Sequence, residues 1–264
     1  MPIETLFEPL TVFLSIISGV IVGFTLGLVG GGGSVLAVPL LMYVVGIKDL
    51  HVAIGTSALA IGIIAAINLI HHRKKGNLKI KKGLTFALPG IIGTLLGSQL
   101  GLWTPADNLL ILFAAFMILI GFLMIKKKTI RTKIIDDNSR LILIKKNLSL
   151  YGFVVGILAG YFGIGGGFLI VPTMMYSSGL NIIQAIGTSL VSVSSFGLVT
   201  AGRYFVAGNI DLIIAMLFVI GGVFGAYLGT RTAEKIPKEN LVKIFSILLF
   251  GVASYILIRT ILIL

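Results

Sequence analysis

Apolar runs of 18 or more residues recur along this chain. Each is long enough to cross a bilayer core of about 30 Å at about 1.5 Å per residue. One such run could be a buried core helix or a signal sequence, but a series of six or more could not. With 57% hydrophobic and 11% charged residues, the chain is far from the roughly 25% charge of a soluble domain. The class expected is an all-α polytopic membrane protein.

The first apolar run follows Glu4 and Glu8, acidic where a cleavable signal would be basic, so no cleavable signal is expected. The absence of cysteine rules out disulfides and thiolate metal sites. The formal net charge of +12 would raise the question of nucleic acid, but its distribution answers it. Of 21 Lys and Arg, 18 fall in three short stretches, 73–82, 126–146 and 231–243. Basic clusters between spans mark cytoplasmic loops, with anionic lipid as a natural contact. Nucleic acid is therefore not an expected partner.

The chain repeats itself. Residues 27–57, GLVGGGGSVLAVPLLMYVVGIKDLHVAIGTS, align with 160–189, GYFGIGGGFLIVPTMMYSSGLNIIQAIGTS. The offset is 133 up to Gly46 and 132 after it. Pro39 matches Pro172, and Gly55-Thr56-Ser57 matches Gly187-Thr188-Ser189. Gly19, Gly23 and Gly27 match Gly152, Gly156 and Gly160. Two transmembrane repeats, 9–126 and 147–262, are thus joined by a basic cytoplasmic linker, 127–146. The predicted segments are 9–29, 34–46, 50–71, 83–102 and 107–125 in the first repeat. In the second they are 147–162, 167–179, 182–204, 210–230 and 240–262. Each repeat then has four long spans and one short glycine-broken segment of about 13 residues, too short to cross as an ordinary helix.

Equivalent loops carry opposite charge character. The loop at 73–82 is basic and its counterpart 205–209 is uncharged, whereas 103–107 lacks Lys and Arg and its counterpart 231–243 is basic. That is the pattern of repeats inserted upside down relative to each other; a parallel repeat is the competing arrangement. Both termini would be external.

Paired short segments behind glycines are the sequence pointer to a transporter site. A helix that starts inside the membrane presents free N–H groups and a partial positive charge, and glycines let backbone approach an anion closely. Gly31, Gly32, Gly33 and Ser34 precede the first short segment; Gly165, Gly166 and Gly167 precede the second. The regular four-residue glycine series read instead as helix packing. Thr56, Ser57, Thr188 and Ser189 could donate to an anion's oxygens, or bond their own helix carbonyls. Arg203, before a turn predicted external, could attract an anion or snorkel to the interface. His71, its counterpart, sits with His72 beside a basic loop and reads as interfacial rather than metal-binding. Asn68 matches Thr200 and could face a pathway. No Asp or Glu falls in the interior of a predicted span, Asp49, Asp107 and Asp211 being at ends, which favours anions over a carboxylate relay. No catalytic constellation is visible, so an enzyme is not expected.

At the glycine runs the chain resembles the sulfite exporter TauE/SafE family. The residues that carry the resemblance are GLVGGGGSVLAVPLL at 27–41 and GYFGIGGGFLIVPTMM at 160–175, each followed by AIGTS. The resemblance covers nearly the whole chain and implies transport of sulfur-containing oxyanions or organosulfonates, such as sulfite, thiosulfate or sulfoacetate. Gly31 against Ile164 and Ser34 against Gly167 make the two half-sites unequal.

The expectation is an inverted-repeat secondary transporter of the plasma membrane that exports small anions, with no cofactor and no metal. A passive anion channel is the alternative, since glycine loops also build selectivity filters; a membrane scaffold or enzyme subunit is a third class. A small anion and the lipid bilayer are the expected partners, with a homodimer left open.

Overall fold

The computed structural model describes residues 8–126 and 148–232 apart from 164, 166 and 181, together with the isolated positions 250, 251 and 254. The linker 127–146 and, but for those three positions, the predicted span 240–262 lie outside the described residues. So do Gly166 and most of the third basic stretch.

Every element among the described residues is helical. Helix α1 is Pro9–Val29, and α2 is a composite over 31–45. Then come α3 (Leu50–Lys74), α4 (Ile80–Trp103), α5 (Ala106–Lys126), α6 (Leu148–Phe162), α7 (Gly167–Ser178), α8 (Ile182–Val206) and α9 (Leu212–Thr232). Five of them, α1, α3, α4, α8 and α9, contain stretches long and apolar enough to cross a membrane. Over its described residues α6 has 15 residues, short of a regular crossing.

The caps explain most boundaries. Asp49 Oδ1 accepts from the His51 and Val52 N–H groups at 2.7 and 3.3 Å and starts α3. Asp211 accepts from Ile214 N–H at 3.0 Å and starts α9. Helix α3 runs to Lys74 rather than the predicted 71, because His71, His72, Arg73 and Lys74 fill its last turn and favour its negative end.

The first short segment differs from its expectation in a useful way. The glycines do not merely precede it. Gly31–Leu36 form a 3-10 helix, one α turn follows over Ala37–Leu40, and a π turn ends the element over Leu41–Val45. Glycine tolerates the tighter turn, and Pro39 supplies no N–H to the carbonyl four residues back, although the equivalent Pro172 lies within a continuous α-helix in α7. Gly46, at φ 91°, ends it in the left-handed region.

Packing exchanges the two repeats. Gly19, Gly23 and Gly27 of α1 lie on the Phe218, Gly222 and Ala226 backbone of α9. Gly152, Gly156 and Gly160 of α6 lie on Phe86, Gly90 and Thr94 of α4. The second set is the first shifted by 133 on one helix and 132 on the other. Both pairs run parallel, and both are small-xxx-small contacts, as the glycine spacing predicted. Between them the equivalent helices α3 and α8 cross antiparallel, with Gly55 against Tyr204, Gly62 against Leu198 and Gly187 against His72.

Polarity is reversed relative to a water-soluble protein. Phe13, Leu88, Ile220 and Phe224 are each more than half exposed, while Ser15, Thr94, Ser98 and Ser192 are buried. An apolar exterior around a core containing hydroxyls suits a lipid solvent.

Candidate functional site

The two glycine breaks do not rest on their own repeats. Gly30, at φ 75°, ends α1 against Val171 of α7 and Ile186 of α8. Gly163, at φ 66°, ends α6 against Ile54 of α3. Ile54 and Ile186 are equivalent positions, one residue before each Gly-Thr-Ser. Each break therefore seats on the Ile-Gly-Thr-Ser segment of the opposite half. Gly165, at φ 61°, lies between Ile61 and Val193, again an equivalent pair, where α3 and α8 cross. The 3-10 turn of α2, which contains Gly31, Gly32, Gly33 and Ser34, packs against α7, which begins at Gly167. Gly33 lies against Thr25 and Leu26 of α1.

The four hydroxyls divide into two pairs. Ser57 donates to the Ile54 carbonyl at 2.9 Å and Ser189 to the Ile186 carbonyl at 2.8 Å. Thr56 Oγ1 accepts from the Asp211 N–H at 3.0 Å, and Thr188 Oγ1 accepts from the Lys79 N–H at 3.1 Å. Each threonine thus satisfies an orphan donor at the start of the third span of the other half. All four side chains, and Ser34, are wholly buried.

Arg203 is half-buried in the last turn of α8, at the end of the helix opposite Thr188 and Ser189. Asn68 sits where α3 meets α9; Thr230 lies 3.3 Å from its Oδ1. Asn68 also lines a cavity of about 150 Å³ with His71 and Tyr227, and Arg231 stacks over Tyr227 at 4.6 Å. These residues lie at the basic ends of α3 and α9, where Gly27, three residues before the Gly30 break, packs on Ala226 and Thr230.

Sequence reasoning missed Tyr204 and the two backbone amides held by the threonines. Tyr204 is wholly buried and lies against Gly55. The 132-residue offset pairs it with His72, one position beyond the pair His71 and Arg203, so the signal was within reach. The amides of Asp211 and Lys79 leave no mark in a side-chain pattern.

A family model described as Sulfite exporter TauE/SafE matches residues 15–256. A probable membrane transporter protein of Xylella fastidiosa strain Temecula1 is 40% identical over 252 residues, covering 95% of this chain and 96% of the relative. The probable membrane transporter protein YunE of Bacillus subtilis is 30% identical over 254 residues, covering 89% and 93%. A probable membrane transporter protein of Methanocaldococcus jannaschii is 30% identical over 263 residues, covering 94% and 97%. No solved structure matches the chain.

Proposed function

The chain belongs to the sulfite exporter TauE/SafE family, and from that membership and the geometry of the glycine breaks we propose that it carries small sulfur-containing anions out of the cell. It is a multi-pass membrane protein of a transporter family. The observation that carries the proposal is the crossed seating of the breaks, Gly30 on Ile186 and Gly163 on Ile54, around Gly165 at the α3–α8 crossing. Each break sets a helix start beside the Gly-Thr-Ser of the opposite half, one such pair towards each end of the α3–α8 crossing, where backbone N–H groups and the Thr56 or Thr188 hydroxyl can bind an oxyanion. Export of a net negative charge from a negative interior gains about 2.3 kcal/mol per 100 mV and needs no coupling ion. Sulfite, thiosulfate and small sulfonates are the substrate class that the family description favours.

Uptake of radiolabelled sulfite, thiosulfate and a small sulfonate into liposomes holding the pure protein tests this. Flux should saturate, follow an imposed potential, and exchange labelled for unlabelled anion. It should vanish in the Gly32→Leu and Gly165→Leu double variant. Flux that persisted in that variant would move the site away from the breaks, and flux without saturation or exchange would make the protein a channel.

The antiparallel crossing of α3 and α8 supports halves inserted in opposite orientations in the plasma membrane, because equivalent helices then cross the bilayer in opposite directions. Cysteines placed singly at Trp103, Lys127 and Lys238 in this cysteine-free chain should react from outside at Trp103 alone. Reaction from outside at Lys238 would exclude the inverted arrangement and the external termini with it.

A further inference from the structure

A carrier must close each end of its pathway in turn, and a chain built from two crossed copies of one unit carries the closing device twice. The equivalent positions His72 and Tyr204 have the required placement. His72 lies near the C-terminal end of α3 and Tyr204 near that of α8. Those helices cross antiparallel, so the two side chains stand at opposite ends of the molecule. Each lies on the Gly-Thr-Ser of the other half beside a backbone carbonyl: the Tyr204 Cβ and the Asn209 carbonyl against Gly55, and the His72 ring and the Asn77 carbonyl against Gly187. Tyr204 is wholly buried and His72 is 4% exposed.

The rest of each cover differs between the ends. The Tyr204 ring stacks on His51, with centroids 6.3 Å apart, and His51 Nε2 is 3.3 Å from the Gly101 carbonyl. A Cβ on Gly101 would come within 2.9 Å of the Tyr204 hydroxyl, so this wall touches the ring tip. At the other end the His72 ring meets His71 edge-on at 6.4 Å. The Tyr204 hydroxyl is buried with no hydrogen-bond partner among the described residues. A buried hydroxyl left without a partner disfavours the closed position and favours a swing of the ring towards water.

The geometry points to Tyr204 and His72 as the paired gates of the pathway, one at each end, with the structure closed at both. This rests on the carrier reading above, and it adds residues outside the anion site. Opening would turn one side chain, together with the turn that follows it (77–79 or 209–211), away from the Gly-Thr-Ser of the other half and expose that segment to one face of the membrane only.

Labelling tests the gates without any substrate, so it stays interpretable if no anion is carried. Ser57→Cys and Ser189→Cys serve as reporters in the Gly-Thr-Ser segments on which Tyr204 and His72 lie, probed with a membrane-impermeant methanethiosulfonate in right-side-out and inside-out vesicles. Tyr204→Ala should raise the reaction rate at Ser57→Cys by about an order of magnitude from one face alone. His72→Ala should do the same at Ser189→Cys from the other face. Tyr204→Phe should not raise the rate, because the ring remains and the unpartnered hydroxyl that disfavours closure is gone. Unchanged rates in the Ala variants, opening to the same face, or an equal rise from both faces would overturn the assignment. If either Ala variant aggregates, Tyr204→Leu and His72→Leu keep part of the side-chain volume and carry the same expectation.

Discussion

Gly23→Val and Gly156→Val should each abolish the folded protein, giving aggregate in place of a monodisperse peak on detergent size-exclusion chromatography. Gly202→Val should elute normally. A Cβ at Gly23 would overlap the Gly222 carbonyl of α9, and one at Gly156 the Gly90 carbonyl of α4. The atoms met are backbone, which no rotamer change can move aside. Ordinary overpacking costs roughly 1–3 kcal/mol because side chains adjust. Here the helices themselves must separate, and the close contacts one turn away at Gly19 and Gly27, or at Gly152 and Gly160, separate with them. Gly202 has open space at its Cβ, so it controls for the loss of a glycine as such. Normal elution of both Val variants would mean that the α1–α9 and α4–α6 contacts are looser than the structure has them.

These contacts also mark what a sequence can and cannot reveal. Glycines four apart announce a smooth helix face, and the series Gly19-Gly23-Gly27, Gly93-Gly97-Gly101 and Gly221-Gly225-Gly229 were legible as packing for that reason. Nothing in their spacing names the partner. That α1 meets α9 rather than a neighbour in its own repeat is a property of the crossed assembly. Helix bounds were legible to within a few residues wherever apolar runs meet charged or capping residues, as at Pro9, Asp49 and Trp103. The first short segment was less so, because a glycine run and a proline weaken the α pitch without deciding the outcome: the segment with Pro39 changes pitch twice, and the one with Pro172 stays α-helical. At the site, the residue types were legible but not their partners. Thr56 reads as a hydroxyl near a helix start, yet its bond is to the Asp211 amide, 155 positions away in sequence.

The two glycine breaks should respond unequally to the same small change. Gly163→Ala is expected to cost roughly 1–2 kcal/mol for placing a Cβ at φ 66°, and a further 1–3 kcal/mol for overpacking. The overpacking comes from a single atom, because the new methyl would overlap the γ2 methyl of Ile54. Ile54→Leu conserves volume and removes that branch, a swap that alone costs under about 1.5 kcal/mol. The Gly163→Ala/Ile54→Leu double variant should therefore be more stable than Gly163→Ala, recovering the steric part and retaining the backbone part. At Gly30 the nearest atoms to a new Cβ are Val171 at 3.0 Å and Ile186 at 3.3 Å. Gly30→Ala should accordingly cost less than Gly163→Ala, with the φ of 75° as its larger share. Thermal midpoints of the four purified proteins measure all of this, and a double variant no more stable than Gly163→Ala would remove Ile54 as the contact. Anion flux adds a second readout. If Gly163 acts only through packing, flux should return with stability in the double variant. If its backbone must lie open to the anion, the double variant should regain stability and stay slow, because the extra methyl remains at the break.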